Sequence, residues 1–107
     1  MTTSVSQGHI FGRKAVTAAA TAEAIDSTSR PITELLIIAN DDNTGRVFYG
    51  ASDVDSSTQR GLAAGESVVV GGSEDSPFDI AAIFVDVSVS GEAVDFVATR
   101  ARRGAGA

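Results

Sequence analysis

Cysteine is absent from the 107-residue sequence, tryptophan is absent, and histidine occurs once, as His9. Without cysteine the chain holds no disulfide, no thiolate metal site and no cysteine nucleophile. A single histidine excludes any site that needs two imidazoles from one chain. No apolar run approaches the roughly 20 residues of a membrane-spanning helix, so no membrane partner is expected. Residues Met1 to Gly12 lack the basic-then-apolar pattern of a secretion signal. Basic residues are also few: eight against fourteen acids, for a net charge of −6. That balance argues against nucleic acid as a partner, since such binders carry a basic face.

What is present suits one small folded domain. Hydrophobic residues make up 43% and charged residues 21%, ordinary values for a globular protein. Five phenylalanines and Tyr49 are the only aromatics, so the core must be built mainly from Val, Ile, Leu and Ala.

The apolar spacing is that of strands. Met1–Gly12 reads as an extended arm, with Ile10 and Phe11 as its apolar pair. Arg13–Ile25 reads as two short strand pieces broken near Ala19–Ala20. Pro31 opens the strongest strand, Ile32–Ala39, which Asn40-Asp41-Asp42-Asn43 stops. Asn43-Thr44-Gly45 then leads into Arg46–Tyr49, and the short connection predicts an antiparallel hairpin. Ser67–Val70 is a further strand, and Phe78 a plug into the core. Ile80–Val89 alternates with period two at its end, from Ile83, as does Val94–Thr99 beyond Ser90-Gly91-Glu92, which predicts a second hairpin. The expectation is an all-β chain: a small antiparallel, jelly-roll-like β-sandwich over residues 13–99. A 1–12 arm precedes it, and a flexible arginine-rich tail, 100–107, follows.

Strand parity singles out one surface. If Leu35, Ile37, Val47 and Tyr49 point inward, then Leu36, Ile38 and Phe48 form an outer apolar patch. Three such side chains expose on the order of a few hundred Å², the scale of a contact surface. They are candidate subunit-interface residues. The alternative is that the arm folds back to cover them. Ile10 and Phe11, with Arg100, Arg102 and Arg103 of the tail, are candidate contacts to a partner.

Other chemistries lack their patterns. Asp41, Asp42, Asp53 and Asp55 offer oxygen ligands suited to calcium, but the EF-hand spacing is missing and Asn and Asp favour turns for backbone reasons alone. No metal site or cofactor is expected. A Ser-His-Asp site would have to use His9, and no Gly-x-Ser-x-Gly elbow occurs. Gly71–Gly72 and Gly61–Gly65 sit at strand ends with no phosphate-loop Lys-Ser/Thr. A metal-dependent cupin typically gathers several histidines, and this chain has one. The chain is read as not an enzyme.

Four stretches together resemble a known group: Asn43-Thr44-Gly45-Arg46-Val47-Phe48-Tyr49-Gly50, then Gly61-Leu62-Ala63-Ala64-Gly65-Glu66-Ser67-Val68, then Phe78-Asp79-Ile80-Ala81-Ala82-Ile83-Phe84-Val85, and Ser90-Gly91-Glu92-Ala93-Val94. The pattern is similar to that of small β-sandwich virion proteins of tailed bacteriophages, of the capsid decoration (cement) and head-fibre type. It covers roughly Val16 to Thr99, and departs from it at Ala64, where the pattern usually has proline. The resemblance implies a non-enzymatic virion protein, assembled in the host bacterial cytoplasm. It implies a homo-oligomer, with a homotrimer expected, bound to the major capsid protein or another virion protein. A tail- or spike-associated module that binds a ligand or carbohydrate is the alternative.

Overall fold

The computed structural model describes residues 9–55, 57, 59–72 and 75–101. Among the described residues, eight strands form two antiparallel sheets. They are β1 (His9–Ala15), β2 (Glu23–Ala24), β3 (Pro31–Ala39), β4 (Val47–Gly50), β5 (Ser67–Gly71), β6 (Phe78–Asp79), β7 (Phe84–Val87) and β8 (Ala93–Arg100). The larger sheet runs β1-β8-β3-β5, with β6 beside the start of β3, and the smaller runs β2-β7-β4. Beyond β4, Leu62 makes a single bridge to Val47, exchanging both backbone hydrogen bonds at 2.8 and 2.9 Å. The chain crosses repeatedly from one sheet to the other, which is jelly-roll connectivity. The expected all-β sandwich is therefore the fold.

Alternation builds the core. Leu35, Ile37 and Ala39 of β3 face inward beside Val94, Phe96 and Ala98 of β8, and meet Val47, Val85 and Val87 from the smaller sheet. A strand whose inward residues are apolar at every second position buries that face as the sheets close. At Thr33 the β3–β8 register shifts, and Ile32 and Thr33 are both buried. The expected break near Ala19–Ala20 is present: Ala20 takes φ 72°, between β1 and β2.

Four expectations need correction. The two hairpins do not form: β3 and β4 lie in different sheets, as do β7 and β8. A short polar connection can close a hairpin or turn a corner between sheets, and here long-range pairing decides. Both flanks of β3 are taken by β5 and β8, so the chain after it must cross over. Secondly, Ile80–Val89 is not one strand. It begins as a 3-10 turn, Ile80–Ala82, capped by Asp79, whose Oδ1 accepts from Ala81 N at 2.9 Å. Thirdly, the arm is shorter than 1–12, because His9–Gly12 belong to β1 and Ile10 is buried opposite Ala98; residues 1–8 lie outside the described residues. Fourthly, Arg100 closes β8 opposite Ile32 rather than opening the tail.

Candidate functional site

The outward residues of the larger sheet form rows across its strands. In the ladder registers Phe11 pairs with Val97, Val97 with Leu36, and Leu36 with Val69. These four apolar side chains thus make one row over four strands, spanning about 14 Å at the usual strand spacing. Both ends are open: Phe11 is 67% exposed and Val69 53%. Ile38 stands in the next row, beside Asp95 and Ser67. Leu36 and Ile38 are therefore on the outer face, as strand parity predicts.

Phe48 is not with them. It sits in the smaller sheet, opposite Asp86, and is 4% exposed. Gly61 lies against it: a Cβ there would stand 2.6 Å from the Phe48 ring. The patch of Leu36, Ile38 and Phe48 is thus corrected to a row of Phe11, Val97, Leu36 and Val69 with Ile38 alongside. Val97 and Val69 escape a reading by hairpins, because their place depends on long-range register. For Val69 alone there is a local signal: Ser67–Gly71 has valine on both faces.

One charged pair borders the row. Arg13 Nε donates to Asp95 Oδ1 at 2.6 Å. The Asp95 contact, with Asp42 adding to it, raises the guanidinium pKa further. Arg13 shares a surface groove with Asp41, Asp42 and Asp95, so these two calcium candidates lie around a fixed cation. Asp53 is exposed, and Asp55 Oδ1 accepts from the backbone and hydroxyl of Ser57 as a turn-forming carboxylate does. Among the described residues, no three His, Asp or Glu side chains gather to hold a metal. His9 lies on the outer face with its ring 6.1 Å from that of Phe11. Arg100 lines an open groove of about 310 Å³ with Ser29, Arg30 and Pro31. Arg102 and Arg103 lie outside the described residues.

The motifs that carry the sequence resemblance meet in space, and their work is structural. Glu92 accepts from Thr44 N at 2.6 Å, Thr44 Oγ1 at 2.8 Å and Gly45 N at 2.9 Å. Asn43 Nδ2 donates to Ala93 O at 2.8 Å, and Ala93 N donates back to Asn43 Oδ1 at 3.2 Å. The Asn-Thr-Gly and Gly-Glu turns thus lock two sheet-to-sheet corners together. The Thr44 and Gly45 amides hold the Glu92 carboxyl below its usual pKa, against a smaller opposing effect of desolvation.

No family model matches the sequence, and comparison with curated proteins and with solved structures likewise finds no match.

Proposed function

We propose that the protein is a non-enzymatic structural component of a tailed-phage particle, a capsid decoration protein. It seats the outer face of its larger sheet on the major capsid protein. The observation that carries the reading is the apolar row Phe11–Val97–Leu36–Val69, which no described segment covers, on a sandwich whose smaller sheet is covered over Phe48 and Asp86. A soluble monomer rarely leaves such a row bare without a contact to make. The sequence resemblance supplies the kind of partner, and the corner clamp accounts physically for the turn motifs behind it.

The test is immunoelectron microscopy of particles made from the genome that encodes the chain, beside a Leu36→Asp/Val69→Asp variant. Wild-type label on the head, lost in the folded variant, is the expected outcome. Label confined to the tail, or protein found only outside particles, overturns the assignment. Two carboxylates in the apolar row should abolish seating, because charge buried unpaired at an interface is costly.

A further inference from the structure

Strand β1 is an edge strand among the described residues, with β8 on one side and no strand on the other. Its hydrogen-bonding parity follows from one bond. Val16 N donates to Glu92 O at 3.0 Å, and the same register runs unbroken to His9–Thr99. Antiparallel pairs alternate between bonded and non-bonded. Lys14, Gly12 and Ile10 therefore bond to β8, while His9, Phe11, Arg13 and Ala15 turn their N–H and C=O groups away from it. All four of these residues are exposed.

Natural edge strands are commonly guarded by cations that repel an incoming strand. Here both cations are already engaged: Arg13 with Asp95 at 2.6 Å and Lys14 with Glu23 at 2.8 Å. The edge is left as a seven-residue template.

We propose that β1 pairs antiparallel with β1 of a second copy about a two-fold axis at Gly12, joining two larger sheets into one. The side chains select that register. Centred on Gly12, His9 faces Ala15 of the second copy, Ile10 faces Lys14, and Phe11 faces Arg13. No two like charges meet, and each guanidinium lies beside a ring, a favourable cation–π geometry. Centring on Phe11 instead faces the two Phe11 rings with each other and takes them away from the guanidiniums. Centring on Arg13 opposes two guanidiniums. Nothing projects from Gly12 at the axis, where a Cβ would stand 2.5 Å from the Phe96 ring. The pairing places two apolar rows end to end with their Phe11 residues adjacent. It stands on the edge geometry and holds whether or not the partner is a capsid.

Two measurements test it. Light scattering coupled to size exclusion should give twice the chain mass of 10.9 kDa for the wild type at high concentration. Arg13→Pro should give the single mass with an unchanged far-UV spectrum, because the lost N–H points away from β8. A wild-type monomer or trimer overturns the proposal. The register is read with cysteines, since the chain has none of its own. In the proposed pairing His9 and Ala15 of opposite copies are a bonded pair, with Cα atoms about 5.5 Å apart, within the roughly 4.4–6.8 Å range of a disulfide. Oxidised His9→Cys/Ala15→Cys should run as a covalent dimer on a denaturing gel, and neither single variant should. Equal dimer in the single variants, or none in the double, overturns the register. A wild-type dimer that is absent from particle heads would instead count against the capsid reading alone.

Discussion

The two outer faces of the sandwich are built alike and end differently. Each carries apolar side chains at alternate positions, Phe48 on the smaller sheet and Phe11, Val97, Leu36 and Val69 on the larger. On the smaller sheet, Gly61 lies against Phe48, and Val54, next to Gly50 at the end of β4, is itself buried. The turn before β2 covers the same face, where Ala20 N donates to Asp86 Oδ1 at 3.0 Å and Asp86 is 1% exposed. On the larger sheet no described loop does this for the apolar row. Among the described residues, one face is therefore covered within the single chain and the other is not. Apolar patterning alone does not separate the two; loop placement does.

The sharpest way to break this comparison is to truncate one aromatic on each face. Phe48→Ala should cost about 3–5 kcal/mol, the range for losing a buried phenyl ring. Phe11→Ala should change stability by no more than about 0.5 kcal/mol, as exposed positions do. Urea unfolding of the two variants reads the difference directly. Equal costs would mean that the larger sheet's outer face is covered in the isolated chain.

Part of this contrast is visible in the residues themselves. The strand Ile32–Ala39 declares itself by length, β-branching and the Asn-Asp stop, and its parity places Leu36 and Ile38 outside. The turn motifs also announce their positions. What they do not announce is their partners. Asn43-Thr44-Gly45 looks like a hairpin turn because local chemistry is the same for a hairpin and a corner. Its destination is fixed by Glu92, almost fifty residues later, whose carboxylate reaches the Thr44 and Gly45 amides. Strand parity misplaces Phe48 for that reason. Once β3 and β4 are placed in one hairpin, parity sets Phe48 beside Leu36. The β1 edge was hidden differently: His9–Gly12 is short, glycine-containing and without sustained period, and gains its strand only from pairing with β8.

The corner clamp gives a smaller, pH-dependent effect that leaves both faces intact. Glu92 has a folded pKa below its ordinary value of 4.5, held there first by Thr44 N and then by Gly45 N, against desolvation. A depressed carboxylate contributes stability above its unfolded pKa and loses it as pH falls through the folded one. Asp79, bonded by Ser29 and by the Ala81 amide, is shifted the same way. Thermal stability should therefore fall as pH drops below about 4.5. Glu92→Gln should be less stable than wild type near neutrality, and the gap should narrow in acid. A gap that stays constant between pH 7 and about pH 3 would mean that the charge on Glu92 does not drive the clamp.

The smallest expected effect lies in the cover itself. Ala20 holds φ 72°, a left-handed conformation that costs an L-residue about 1–2 kcal/mol. It is kept because its N–H reaches the buried Asp86, closing the turn over the smaller sheet. Glycine removes the steric cost but has more freedom to lose on folding, about 0.4–1 kcal/mol. Ala20→Gly should therefore stabilise the chain by about 0.5 kcal/mol, or raise the melting temperature by roughly 2–4 °C for a domain of this size. Because the turn covers the smaller sheet only, the mass in solution should not change. A gain in stability with altered association would show that the two faces are coupled through the core, and that covering one face helps set the shape of the other.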